Sequence, residues 1–495
     1  MKLFENPVFL THKRIVHRGG VLAAILIAAL VGSCLLAGLI SYLADPRGFN
    51  FSSPAEAGKT FYGWIVGVEI LVLILGGFNR VARALADDRK AGLWDSNRLT
   101  PLKPAQILAG YWLAPALREV YMAAVLAGFG LVIVLAGRLP ITLWLGTQVL
   151  IVSTALLFGL LALLAGMALQ RSQGVLIFLG LFFAYPFSFI APSRMLTNFL
   201  LPIYGITNLF HEPAVAKAHH SANEWADWQS LPEIFGVQMQ PILLSLALQI
   251  LLGLFVWRVL VRKTNRPFQP LLLRGEAITL FSMLVLSQHA LLWDLWYGKF
   301  PVPDDKEGLL AVVYGGAILI SLTLLAMASP KPEHVRIEAL RLGFKNTGAI
   351  FSRSAVSLAF TLAGISAAAF FTQFVFSLAS SFKIFLALAV NLLEICLVFA
   401  LLLEFCRLRH KRRALGFVAL WLFLFGLIPF ILAAVFSSET IGRFSLLAPG
   451  FMAMSNHQNP DWPCLFGILL AHLGITVILF IGWQRQWKRL LEHTA

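Results

Sequence analysis

Runs of about 20 apolar residues recur along this chain, and they limit the folds that it can adopt. A helix of that length crosses the hydrocarbon core of a bilayer, and inside that core only helices and closed barrels satisfy their own backbone polar groups. Only 13% of the residues are charged, against about 25% in soluble domains. The sequence therefore predicts an all-α, polytopic integral membrane protein.

About twelve apolar runs meet this criterion, in two halves of about six. The runs are 21–43, 61–79, 109–136, 141–169, 174–191, 242–260, 277–296, 309–328, 355–379, 384–403, 414–436 and 465–483. A basic linker at 261–276 separates a first six-span domain, 21–260, from a second, 277–483. A degenerate repeat of the first domain is one interpretation of the second.

The positive charges predict how the chain is oriented. Lys and Arg gather in alternate connections between the apolar runs, and short basic loops stay on the cytoplasmic side. We therefore expect both termini in the cytoplasm, with 1–20 as an interfacial elbow helix, 484–495 as a tail and 192–240 as an outer loop. The net charge of +15 is explained by these loops rather than by binding to nucleic acid.

The connection at 87–110 follows the second apolar run and carries the most specific pattern in the chain. Its motifs are Asp88-Arg89, Gly92-Leu93-Trp94-Asp95, Thr100-Pro101-Leu102 and Ile107-Leu108-Ala109-Gly110. The order and spacing of these motifs resemble the signature of the permease subunit of type-2 ATP-binding-cassette (ABC) transporters. The resemblance implies a membrane subunit that couples ATP hydrolysis on a separate subunit to movement of a substrate, with export as the expected direction.

The same resemblance implies that 87–110 contains a coupling helix that rests on the ATP-binding subunit. Leu93 and Trp94 would then fill an apolar socket on that partner, and Gly92 would allow a turn or a close approach. The residue before a proline avoids the helical region, so Thr100-Pro101 would end the helix. The residues implied in coupling are Asp88, Arg89, Gly92, Leu93, Trp94, Asp95, Thr100, Pro101 and Leu102.

The resemblance also implies the partners and the location. The partners are an ATP-binding cassette ATPase, the lipid bilayer and, if this chain is only half of a permease, a second permease chain. ATP and Mg would be held by the ATPase, so we expect no cofactor in this chain. The expected location is the plasma membrane, as in a bacterial inner membrane.

We expect no enzymatic activity from this chain. Gly58-Lys59-Thr60 has the end of a nucleotide-binding loop, but Ser53 stands where that motif needs its first glycine. The histidines and acidic residues of 192–240 match no metal-ligand spacing. The sequence therefore predicts no catalytic and no metal site.

Two carboxylates, Glu69 and Glu394, lie within apolar runs and form a candidate intramembrane polar site. A carboxylate is costly inside a bilayer and can mark a functional position, whereas a hydrogen bond to a neighbouring helix gives it a packing role. The adjacent charged residues Arg118 and Glu119, in contrast, are expected at the cytoplasmic interface of the membrane.

Two other classes of function remain open at this stage. A secondary, ion-driven transporter of the major facilitator type also has two halves of six spans, and Asp87-Asp88-Arg89 matches part of its loop motif. A non-transporting membrane anchor for an ATPase would share the coupling helix. An ATPase that copurifies with the chain distinguishes the permease and the anchor from the ion-driven transporter.

Overall fold

The computed structural model describes residues 6–18, 20–45, 51, 53–168, 196–201, 203–210, 232–234, 237–267, 269–292, 306–329, 354–377, 382–410, 418 and 462–492. Helices dominate these ranges, which confirms the predicted all-α class. In the same ranges the strands are limited to the two-residue β1 (Glu233–Ile234) and β2 (Val237–Gln238), which pair antiparallel. The predicted crossing at 174–191, and that at 414–436 apart from residue 418, lie outside the described residues.

The chain divides into two compact units, Met1–Pro267 and Phe268–Ala495. The helices of the first unit are α1 (Pro7–Arg18), α2 (Val21–Ala44), α3 (Pro54–Ile70), α4 (Gly77–Lys90), α5 (Leu93–Leu99), α6 (Pro104–Leu113), α7 (Leu117–Ala136), α8 (Ile141–Ala168), α9 (Leu196–Leu200), α10 (Ile203–Phe210) and α11 (Pro241–Asn265). Those of the second unit are α12 (Arg274–Leu291), α13 (Lys306–Ala328), α14 (Ala355–Ser377), α15 (Phe382–His410) and α16 (Trp462–Glu492).

Seven helical segments in the described part of the chain are long and apolar enough to cross a membrane. They are Val21–Ala44, Pro54–Lys90, Leu117–Ala136, Ile141–Met167, Pro241–Asn265, Leu386–Arg407 and Phe466–Arg489. Shorter apolar segments, Val313–Ala328 and Ala355–Ala369, lie in α13 and α14. These segments identify the chain as a helical, multi-pass membrane protein.

Two of the long helical stretches are irregular at their centre or start. Between α3 and α4 the backbone forms a π-helical turn, Leu71–Gly76, and the helix is continuous from Pro54 to Lys90. Between α6 and α7 the helix breaks at Ala114–Ala116, where Pro115 has no N–H to donate to the preceding turn. The π turn packs against α7, so the two irregular segments are neighbours.

The core of the first unit lies between α2, α3, α7 and α8. Its fully buried side chains are Leu39, Tyr62, Ile65, Leu126, Ile133, Val134 and Leu150. A polar contact joins this group to α11, because the Gln249 amide donates to Thr154 Oγ1 of α8 at 2.9 Å and to the Phe199 carbonyl of α9 at 3.2 Å. The side-chain amide therefore holds three helices together without leaving a buried donor unpaired.

In the second unit, α15 packs against α13, α14 and α16. Glu404 of α15 accepts hydrogen bonds from the Ala355 N–H, at the start of α14, and from the Trp483 indole of α16. Arg407, one turn later, donates to the Ser329 and Ala326 carbonyls at the end of α13, at 3.0 and 3.1 Å. One turn of α15 thus satisfies backbone groups at the ends of two other helices.

The short helix α1 is fixed to α6 by one apolar face. Val8, Phe9, His12 and Val16 are buried with the period of a helix, and Asn6 Nδ2 donates to the Gln106 carbonyl at 2.6 Å. At the contact, Gly110 lies so close that a Cβ atom would come within 2.9 Å of Val8 Cγ1 and 3.1 Å of the Phe9 backbone nitrogen. Glycine at position 110 is therefore a condition of this packing.

We predict that Gly110→Ala lowers the unfolding temperature of the purified protein, measured by tryptophan fluorescence in mild detergent. The added methyl group overpacks the contact between α1 and α6, and overpacking costs about 1–3 kcal/mol. Gly128→Ala on α7 is the matched control, because a Cβ atom there meets nothing within 4 Å. Equal unfolding temperatures for Gly110→Ala and the wild type would contradict the packing described.

Candidate functional site

The predicted coupling segment forms the separate helix α5 between α4 and α6. Gly92 precedes it with φ +74°, a left-handed backbone conformation that favours glycine, so the chain turns sharply after α4. α5 ends at Leu99, and Thr100 is extended before Pro101, as the Thr100-Pro101 pair predicts. Local sequence thus delimits both ends of the seven-residue helix.

Two arginines fasten this segment to the ends of the membrane helices. Arg89 Nη1 donates to the Gly166 and Met167 carbonyls at the end of α8, at 2.9 and 2.6 Å. Arg98 Nε donates to the Thr264 carbonyl at the end of α11, at 3.0 Å. The last carbonyls of a helix have no partner within the helix and attract positive charge. The end of α4 is therefore joined to the end of α8, and α5 is joined to the end of α11.

Beneath α5, a polar cluster joins α1, α4 and α6. Tyr111 donates its hydroxyl hydrogen to Asp88 Oδ2 and accepts a hydrogen bond from Asn97 Nδ2 at 3.0 Å. His12 Nε2 lies 3.3 Å from the same carboxylate oxygen. Burial, and next the contact with Asp88, raise the pKa of the Tyr111 phenol above its usual value. Tyr111 therefore remains a neutral donor that links α5 to α4.

Trp94 lies inside the chain rather than on its surface. Its side chain is 7% exposed, and its ring packs edge-on against Tyr111 with the ring centres 5.3 Å apart. This position corrects the expectation that Trp94 fills a socket on a partner, because the socket belongs to the chain itself. Adjacent helical residues point about 100° apart, so a buried Trp94 can follow an exposed Leu93, and the sequence prediction had placed both in a partner's socket.

Apolar residues at both ends of α5 are exposed. Leu93 is 52% exposed and Leu99 is 89% exposed, and the apolar Leu99 was absent from the residues predicted for coupling. Asp95, Thr100 and Pro101 are exposed beside them, with Asp95 Oδ1 at 3.2 Å from Arg98 Nη1. We call Leu93, Asp95, Leu99, Thr100 and Pro101 the α5 surface. Leu102, also predicted, is half-buried.

Of the remaining predicted residues, Asp88 and Arg89 bond to other helices of this chain, and Glu69 and Glu394 are buried. Asp88 and Arg89 were expected to contact a partner, but their described hydrogen bonds go to Tyr111 and to α8. Glu69 is 1% exposed and accepts a hydrogen bond from Gln148 Nε2 of α8 at 2.9 Å, which is the packing role named as its alternative. Glu394 of the second unit is buried, with Oε2 at 3.7 Å from His472 Nδ1.

Comparison of this chain with family models, with curated proteins and with solved structures gives no match. The function must therefore be inferred from the motifs of 87–110 and from the contacts of α5.

We predict that Arg89→Met destabilises the first unit by about 2 kcal/mol, because hydrogen bonds from a charged group contribute about 1.5–3 kcal/mol. Thermal unfolding and hydrogen exchange of 92–100 measure the loss. Faster exchange is expected in α5, because the end of α4 that precedes it detaches from α8. Lys90→Met is the matched neighbour: the Lys90 side chain is exposed and pairs only with exposed Asp87 within the described residues, so a change under about 0.5 kcal/mol is expected. Equal effects of the two substitutions would show that the Arg89 bonds do not hold the end of α4 to α8.

Proposed function

We propose that this chain is the transmembrane permease subunit of an ABC transporter, and that the α5 surface is where an ATP-binding cassette subunit docks. The observation that carries the proposal is the short helix α5, which follows the second predicted membrane crossing and contains the family-like motifs. Hydrogen bonds hold this segment to other helices of the first unit, while several of its residues remain exposed. Leu93 and Leu99 supply apolar contact area, and exposed Asp95 supplies a polar contact. The inward bonds that hold this segment, together with its exposed leucines, are what support docking at this surface.

The proposed topology has both termini in the cytoplasm and about twelve crossings. Short basic connections remain in the cytoplasm, and the connection containing α5 carries Arg89, Lys90, Arg98 and Lys103. α5 then faces the cytoplasm of a plasma membrane, where ATP is available to the partner. ATP and Mg belong to that partner, and this chain has a mechanical role.

Coupling follows from how α5 is held. When ATP closes the ATPase subunits, the docked α5 is displaced with them, and ATP favours the membrane state that fits the closed partner. Arg98 joins α5 to the end of α11, and Arg89 joins the end of α4, which leads into α5, to the end of α8. A displacement of α5 therefore pulls on two membrane helices at once, and export of a substrate is the work proposed for that movement.

We predict that Leu93→Asp combined with Leu99→Asp removes the ATPase from the purified chain. A charge placed in an apolar contact must be desolvated without a partner, and loss of a main contact costs 2 kcal/mol or more, about thirtyfold in affinity. The measurement is vanadate-sensitive ATP hydrolysis in the material that copurifies with the tagged chain in mild detergent.

The control is Val237→Asp, which changes an equally exposed apolar residue near the start of α11, at the end away from α5. It should leave the copurified ATPase activity unchanged. Full activity with the double variant, or substrate movement that follows an ion gradient with no ATPase attached, would overturn the proposal. An ATPase that binds without vanadate-sensitive substrate movement would instead favour a membrane anchor.

A further inference from the structure

The two irregular backbone segments of the first unit meet at one point. A Cβ atom on Gly76, the last residue of the π turn, would lie 3.2 Å from Glu119 Cγ, and one on Gly77 would lie 3.6 Å from the Ala116 Cβ. Ala116 closes the break between α6 and α7. π turns are frequent at functional sites, and interrupted helices line the binding sites of many transporters. The side chains at this junction are therefore candidates for a ligand site.

Three charged side chains occupy the junction. Glu119 is 2% exposed, and its Oε1 atom accepts hydrogen bonds from Arg80 Nε of α4 and from Arg118 Nε and Nη2 at 3.1 and 2.9 Å. Both guanidinium groups thus share one carboxylate oxygen. Oε2 accepts no hydrogen bond from any residue that the structure describes. We call Arg80, Arg118 and Glu119 the arginine triad.

After its internal hydrogen bonds are made, the triad keeps a net positive charge and unused N–H donors. Two arginines and one glutamate leave one net positive charge, and a guanidinium group has five N–H donors. Within the described ranges, the hydrogen bonds of Arg80 and Arg118 go only to Glu119. The Arg80 side chain is 35% exposed and that of Arg118 is 30% exposed, so both side chains are partly accessible to a ligand.

The position of the triad along the helices gives its depth. The apolar part of the α3–α4 stretch ends at Phe78, and Asn79 and Arg80 follow directly. Within α7, the apolar sequence runs without a charged residue from Val120, directly after Glu119. Both helices therefore place the triad where the hydrocarbon region gives way to the polar region, which is the level of phospholipid headgroups.

We infer that Arg80 and Arg118 bind a phosphate group, with the phosphodiester of an anionic phospholipid as its source at this depth. Arginine matches phosphate oxygens with paired, planar donors, and here two such groups are held side by side by Glu119. Glu119 is a positioning residue, and its negative charge weakens the site while it orients both arginines. The inference does not depend on the proposed ATPase partner.

The test titrates the detergent-purified chain with phosphatidylglycerol, or with a galactolipid that has no phosphate, and counts bound lipid by native mass spectrometry. Phosphatidylglycerol should bind the wild type in preference to the galactolipid. Arg80→Gln and Arg118→Gln should each weaken that binding about tenfold, as expected for loss of a charged hydrogen bond at a partly exposed site. Arg83→Gln, an exposed arginine one turn along α4, removes the same charge and should have no effect.

Glu119→Gln tests phosphate binding by the triad even if the arginine variants fail to fold. It keeps an acceptor for both arginines but raises the net charge of the triad, so phosphatidylglycerol should bind more tightly; unchanged or weaker binding overturns the inference. A second arm compares unfolding temperatures in inorganic phosphate and in chloride at equal ionic strength. Stabilisation by phosphate that is lost in Arg80→Gln and Arg118→Gln supports the same site with a soluble ligand. Equal binding of both lipids by all variants, with no effect of phosphate, assigns the triad to packing alone and refutes the inference.

Discussion

The carbonyl groups at the ends of membrane helices are the constraint on which this structure depends. A helix satisfies its own backbone groups except in its last turn, and near a bilayer those groups need a protein partner. In both units arginine supplies it: Arg89 for α8, Arg98 for α11 and Arg407 for α13. Each arginine comes from a different segment than the helix it caps. The same hydrogen bonds that satisfy the helix ends therefore also fix how the segments are arranged.

The predictions that agreed with the structure are those that depend on local sequence. Apolar runs and prolines predicted the all-α class, the multi-pass character and the end of α5, because these depend on local sequence and on the thickness of a bilayer. Gly92 was predicted as a turn for the same reason. The inward positions of Trp94 and Asp88 could not be read from the sequence, since they depend on Tyr111 and His12, which come from other helices.

The two arginines of 87–110 show the same limit. In the sequence, Arg89 and Arg98 belong to a charged loop, and charged loops are usually solvated. In the structure they donate to carbonyls about 77 and 166 residues away. The triad at Glu119 was expected only as an interfacial charged pair, because Arg80 is distant in sequence and the π turn that brings Gly76 against Glu119 has no pattern of its own.

The bond between Arg98 and Thr264 also sets an order for biosynthesis. The two residues are 166 positions apart, and a ribosome that adds about 5–20 residues per second needs roughly 10–30 s to cover that distance. Until α11 has emerged, Arg98 cannot donate to the Thr264 carbonyl, and α5 is held only by its contacts within 1–168. Newly made chains therefore pass through a stage in which the first unit is nearly complete but this last fastening is still open.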